Sequence, residues 1–176
     1  EPIWLLSNYV HQQCLRHPAW LDELAKTSVL PSSPSIASLL GGEAHFSELK
    51  NDTVDIDFHS ISEADFMKRL RVYRQWWMVR LIALDIEQKI TLCDLTRYLS
   101  ELADVCVNAS LQWSQHYYRA LYGSALDHQG QEQAMIVIGM GKLGGYELNL
   151  SSDIDLIFAF HEHGDTQGGK KSLSSI

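Results

Sequence analysis

The chain has 176 residues, 45% of them apolar and 20% charged, with 22 acidic side chains against 14 basic ones and a net charge of −8. That length holds one domain with a real core, or one domain plus part of another, and the composition is globular rather than disordered. The acidic balance argues against a general nucleic-acid binder, no apolar run reaches the roughly eighteen residues of a membrane span, and the opening "EPIWLLSNYV" lacks the basic start of a secretory signal.

Residues 3–25 read as helix interrupted near Pro18, where "HPAWLDEL" starts a second helix with the proline in its first turn. The stretch "TSVLPSSPSIASLLGGEAH" is rich in Pro, Ser and Gly and reads as a connector that holds a short helix at most; Asp52, Asp55 and Asp57 follow as a solvated acidic stretch. From Ser62 the texture changes. Ser62 is a suitable N-cap, Glu63 and Asp65 suit the first turn of a helix, and Phe66, Leu70, Tyr73, Trp77, Leu81 and Leu84 recur at three- and four-residue spacing. Val72, Trp76 and Val79 widen that stripe, so this helix is expected to be contacted on more than one side. Thr91, with Asp94 three residues on, opens a second long helix whose buried face is Leu92, Leu95, Leu99, Leu102, Val105 or Cys106, and Ala109, with Gly123 as its stop. Together they predict a helical hairpin over about 62–122, with its Trp and Tyr residues as packing rather than a cofactor box. Cys14, Cys93 and Cys106 lack C-x-x-C spacing, which implies neither a zinc site nor a disulfide framework and fits a reducing cytoplasm. The missing initial Met reads as a fragment or a processed product.

After the polar connector "GSALDHQGQEQ", the β-branched run "AMIVIG" and then "SDIDLIFAF" read as strands. The expected organisation is therefore α+β and predominantly helical: a helical region over 1–130, then the start of a mixed α/β module over 131–176. Gly139, Gly141 and Gly144 satisfy G-x-G-x-x-G after a strand, but only eight residues separate Gly144 from Asp153, too few for the crossover helix of a dinucleotide-binding unit. A Walker A loop fails as well, because Leu143 follows Lys142 where a Ser or Thr is required.

What survives is Asp153-Ile154-Asp155-Leu156. On a strand both carboxylates share a face, with Ile154, Leu156 and Phe158 turned to the core. Two neighbouring carboxylates repel, and magnesium between them relieves the conflict; two such ions could clamp an in-line phosphoryl displacement. The plainer reading is an edge strand showing two acids to solvent. Against it stand the companions: a glycine turn offering N–H groups, Lys142 as a cation for phosphate, and the hydroxyls of Ser151 and Ser152 just ahead of the pair.

This arrangement resembles the polymerase-β-like nucleotidyltransferases. More narrowly, "GMGKLGGYELNLSSDIDLIF" is similar to the signature of the bifunctional glutamine synthetase adenylyltransferase/adenylyl-removing enzymes, with Met140, Asn149, Ile154 and Ile157 matching the first, adenylyl-removing half. "SNYVHQQCLRHPAWLDEL", "RLRVYRQWWMVRLIALD" and "HEHGDTQGGKKSL" extend the likeness over most of the chain. The resemblance implies a cytoplasmic enzyme of nitrogen regulation that removes AMP from glutamine synthetase by magnesium-dependent phosphorolysis, giving ADP. It implies Asp153 and Asp155 as catalytic metal ligands, and Gly139, Gly141, Lys142, Gly144, Gly145, Ser151 and Ser152 as nucleotide- and phosphate-binding residues. Glu147 and Asn149 orient the loop. Glutamine synthetase and a PII-type nitrogen signal protein are the implied partners, with no nucleic acid and no membrane. A third carboxylate is expected on a later strand past Ile176, so the 176 residues alone are expected to be inactive. The alternatives are adenylyl transfer from ATP to a protein tyrosine, and a non-catalytic docking or regulatory module.

Overall fold

The structure, a computed structural model, describes residues 6–26, 32–41 and 61–171. The acidic stretch at Asp52, Asp55 and Asp57, and the first residues of the expected N-terminal helix, lie outside the described residues. In chain order the elements are α1 (Asn8–Arg16), α2 (Ala19–Lys26), α3 (Ile36–Gly41), α4 (Glu63–Ile86), α5 (Leu92–Tyr122), β1 (Gly123–Leu126), β2 (Ile136–Gly139), α6 (Gly141–Gly144), β3 (Leu156–Ala159) and β4 (Asp165–Gly168). The protein is mostly helical with small antiparallel sheets, as the α+β reading expects.

Local chemistry sets the helix boundaries. Pro18 lies just ahead of α2 rather than inside it, and its carbonyl accepts from the Leu21 N–H at 3.1 Å. The Ser62 hydroxyl caps α4 by accepting from the Asp65 N–H at 3.2 Å and donates to the Asp65 carboxylate at 2.7 Å. Thr91 repeats the arrangement on α5, accepting from the Asp94 N–H at 3.1 Å and donating to its carboxylate at 2.7 Å. Each cap satisfies an N–H that a helix start leaves orphaned. Between the two helices Gln88 takes a positive φ of 55°, which closes the turn. At α5's end Gly123 has φ 85° and ψ −171°, a conformation open to glycine alone, and the chain passes straight into β1.

Helix α4 is the hub. Phe66, Tyr73, Trp77, Leu81 and Leu84 are buried as the stripe predicts, and Val72, Trp76 and Val79 are buried beside them; Leu70 is only half-buried. The burial goes to several partners. Trp76 meets Trp20 of α2, Trp77 stacks with Tyr98 of α5, and Phe66 stacks on Trp113 at 5.3 Å. The fully buried Tyr73 hydroxyl accepts from the Ser35 N–H at 2.9 Å, lies 2.8 Å from the Ser38 hydroxyl, and reaches the Ser35 carbonyl at 3.2 Å. It thereby ties α3 to α4. On α5, Leu95, Leu99, Leu102 and Ala109 are buried, whereas Leu92, at the first helical position, is 74% exposed.

The sheets hold two departures from the sequence reading. The segment read as a polar connector contains β1, and the segment after the acidic strand contains β4; they pair antiparallel from Gly123 with Gly168 to Leu126 with Asp165. Inside that pair lies a second antiparallel ladder, β2 with β3, running from Ile136 with Ala159 to Gly139 with Leu156. An antiparallel β2–β3 pair agrees with the exclusion of a dinucleotide-binding unit, whose strands are parallel.

Tyr73→Phe keeps the packing but leaves the half-buried Ser35 N–H without its acceptor. The expected loss is about 1–3 kcal/mol of stability, read as a lower urea midpoint.

Candidate active site

β2 ends at Gly139, and the hydrogen-bonding continues one step further: the Met140 N–H donates to the Asp155 carbonyl at 2.9 Å. That bond holds the start of the glycine turn beside the acidic pair. The turn itself is the single helical turn α6. Gly141 takes φ 54°, while Gly139 and Gly144 are required by close approach: a Cβ on Gly144 would stand 2.6 Å from the Gly139 carbonyl oxygen, and one on Gly139 would stand 2.9 Å from the Leu143 side chain. Gly145 is under neither constraint, with φ −84° and nothing nearer than 3.6 Å to its imaginary Cβ.

The amides of the turn divide into two sets. Those of Gly144, Gly145, Tyr146 and Glu147 donate to the carbonyls of Met140, Gly141, Leu143 and Lys142. The N–H groups of Gly141, Lys142 and Leu143 belong to the first turn, where a helix offers no acceptor of its own. The Lys142 side chain is exposed and makes no hydrogen bond or ion pair among the described residues.

Leu143 and Leu148 are 5% and 4% exposed and plug the turn into the helical core. The Leu148 N–H donates to the buried Ser100 hydroxyl of α5 at 3.3 Å, and that hydroxyl donates to the Thr96 carbonyl at 2.9 Å. Tyr146 donates from its phenol to the Asp104 carboxylate, also on α5, at 2.6 Å. The hydrogen bond to Asp104, then loss of solvent, then the charges of Asp104 and Glu101 push the Tyr146 phenol from its ordinary 10.0 up to about 12.

Ahead of the acids, Asn149 gathers the chain. Its side-chain oxygen accepts from the Ser151 N–H at 3.1 Å, the Ser151 hydroxyl at 3.2 Å and the Ser152 hydroxyl at 2.9 Å, and its own N–H donates to the Ser152 oxygen at 3.1 Å. The two serine protons are thus turned inward to Asn149, leaving their oxygens as acceptors only. Asn149 thus ties together residues 149–152, while Glu147 is exposed.

Asp153 and Asp155 fall just before the regular part of β3, which starts at Leu156 because its partner β2 stops at Gly139. The expected alternation is lost: Asp153, Ile154 and Asp155 are all exposed. Both carboxylates are exposed and neither makes a hydrogen bond or ion pair among the described residues, while Leu156 packs on the core. Ile154 and Phe158, expected to face the core, are 40% and 60% exposed and look onto a cavity of about 630 Å³ between the sheet and the helical hairpin. Arg74 and Cys106 also line that cavity, and burial pushes the Cys106 thiol up to about 11, so it stays protonated at neutral pH.

An exposed pair of carboxylates with unengaged oxygens suits magnesium, which takes oxygen donors, keeps several waters and shares its shell with substrate phosphate. Among the described residues no group of three or more His, Cys, Asp or Glu converges to hold a metal ion. The next acid in a strand, Asp165 of β4, pairs opposite Leu126 in the other sheet. The residues that sequence reasoning passed over are Ser100 and Asp104. Their only sequence signal is helical spacing of i and i+4, which names a common face but no partner.

The sequence profile of the Glutamate-ammonia ligase adenylyltransferase family matches residues 2–176, and the chain belongs to that family. It is similar to proteins named bifunctional glutamine synthetase adenylyltransferase/adenylyl-removing enzyme. That of Shewanella woodyi is 37% identical over 175 residues, which is 97% of this chain and 17% of the relative. Those of Shewanella loihica and Acinetobacter baylyi are 39% and 42% identical over 98% and 93% of this chain, again 17% of each relative. The chain therefore spans about a sixth of the length of these relatives. Among the described residues no helix is long and apolar enough to cross a membrane.

Two outcomes follow from this geometry. Gly144→Ala forces a backbone shift and is expected to cost about 1–3 kcal/mol, whereas Gly145→Ala, at an ordinary φ, stays within about 0.5 kcal/mol of the parent by thermal melting. The Tyr146 phenol titrates later when folded than when unfolded. Its contribution is therefore complete below pH 10.0 and is lost as pH rises through about 12. Ultraviolet titration of tyrosinate should show a late component that moves to lower pH in Asp104→Leu and disappears in Tyr146→Phe.

Proposed function

We propose that this chain carries the metal-binding loop of an adenylyl-removing nucleotidyltransferase acting on glutamine synthetase. The observation that carries the reading is the Met140–Asp155 bond, which joins a glycine turn with an unpaired lysine to two exposed, unpaired carboxylates. Its further support is the names of the relatives. In the proposed reaction an oxygen of inorganic phosphate attacks the phosphorus of the adenylyl-tyrosine linkage. The bond to the tyrosine oxygen breaks, tyrosinate leaves with the electron pair and takes a proton from solvent, and the adenylyl group departs as ADP.

Each residue has a separable task. Asp153 and Asp155 hold magnesium, which when bound offsets the charge on the phosphoryl oxygens and on the leaving tyrosinate. Lys142 and the first-turn amides of α6 receive phosphate oxygens. Gly139 and Gly144 let the turn close against β2, Gly141 supplies its positive φ, and Gly145 leaves room for substrate to approach the backbone. Ser151 and Ser152 act mainly through Asn149, by holding the approach to the acids. The direction, removal rather than transfer, rests on the likeness of Met140, Asn149, Ile154 and Ile157 to the first half of the bifunctional enzymes. Glutamine synthetase and a PII-type nitrogen signal protein are the partners in this reading, in the cytoplasm.

The test takes the full-length protein with adenylylated glutamine synthetase, magnesium and phosphate. Phosphate-dependent ADP should appear and should fall by about 10³-fold or more in Asp155→Asn. AMP transfer from ATP, abolished by the same substitution, would reverse the direction. Neither product would leave a binding module.

A further inference from the structure

Tyr146 is the one residue of the loop 145–155 that pairs an uncommon backbone with a long-range side-chain bond. Its φ is 60°, a left-handed conformation that bulky side chains rarely adopt, and two glycines precede it. The short bond from its phenol to Asp104, 42 residues earlier in the chain, opposes that strain. Two residues on, Leu148 is pinned to Ser100, one helical turn before Asp104 on the same face of α5. Asn149 then binds Ser151 and Ser152, and Asp153 follows directly. The far end is pinned too, because the Asp155 carbonyl accepts from Met140. A displacement at Tyr146 therefore has little slack in which to be absorbed before it reaches the carboxylates.

We infer that Asp104 of α5 is a positioning residue for Asp153 and Asp155, acting through the Tyr146 phenol on the loop that carries them. The inference rests on the nucleotidyltransferase reading and deepens it by assigning a control point on the helical hairpin. A purely stabilising role fits less well, since the bond lies at the surface, where a single polar contact adds little to global stability. What it does fix is the direction in which the loop leaves the turn.

The experiment uses the full-length protein in four variants: Asp104→Leu, Asp104→Asn, Tyr146→Phe and the double Asp104→Leu/Tyr146→Phe. Asp104→Leu and Tyr146→Phe should each lower kcat about 10-fold and raise the half-saturating magnesium concentration several-fold, with KM for the adenylylated substrate within about twofold of the parent. The double variant should lose no more than either single one. Asp104→Asn, whose amide oxygen still accepts from the phenol, should retain most of the activity. Amide hydrogen exchange over residues 149–156 should quicken in the two disrupting variants and stay near the parent in Asp104→Asn.

Unchanged exchange in that segment would overturn the inference, as would a lower melting temperature with kcat and magnesium dependence intact, or losses that multiply in the double variant. If Asp155→Asn retains full activity, the functional reading falls instead. The exchange measurement still decides whether Asp104 orders the loop.

Discussion

Helix α4 carries too many large apolar side chains to bury on one face, and the arrangement of the other helices answers that constraint. Trp76 draws in α2, Tyr73 fastens α3 through the serine hydroxyls, and Trp77 and Phe66 bring α5 alongside. Aromatic side chains bury large areas and prefer particular ring geometries, so each contact supplies both free energy and orientation. The position of α5 follows from that of α4. So does everything that α5 carries.

What α5 carries is the glycine turn. Leu143 and Leu148 enter the same core cluster as the aromatic residues, and Ser100 offers a buried hydroxyl to a backbone N–H that would otherwise be unpaired. The chemistry of the site thus stands on a rigid support while its reactive groups stay in solvent. Asp153, Asp155 and Lys142 are exposed, and the residues that hold their segment are buried or pinned. In the proposed reading, that division suits a site that takes a phosphate-bearing substrate and a cation from water without moving its own backbone.

Much of this was legible because the signals are local. Ser62 and Thr91 announce their helices by residue type and by an acid three positions on, and the stripe from Phe66 to Leu84 follows from period alone. Leu92 fits the stripe yet stays exposed, because a first-turn residue can project beyond the neighbouring helix. β1 and β4 were missed for a physical reason: "GSAL" and "DTQG" show no apolar alternation, and each becomes a strand only by pairing with the other some forty residues away. Within the site, spacing singled out the two acids as a pair but could not give the direction of the Ser151 and Ser152 hydroxyls, which depends on Asn149. Nor could it pair Tyr146 with Asp104, since nothing in one helix face names the tyrosine that reaches it.

The two ladders are nested, β2–β3 inside β1–β4, and the outer one is closed by an extra bond from the Lys171 N–H to the Leu121 carbonyl at 3.1 Å. Forming the inner pair first shortens the span that the outer pair must close, so assembly from the inside outward carries the smaller entropic cost. The mechanical consequence runs the other way. Gly123, where the chain enters the outer ladder, and Gly168, where it leaves, are direct partners. Tension applied across those two points opens the outer ladder one hydrogen bond at a time, as a zipper, instead of shearing all of them together. A pull between those two points is thus spent on peeling β4 from β1 before it reaches the inner β2–β3 ladder.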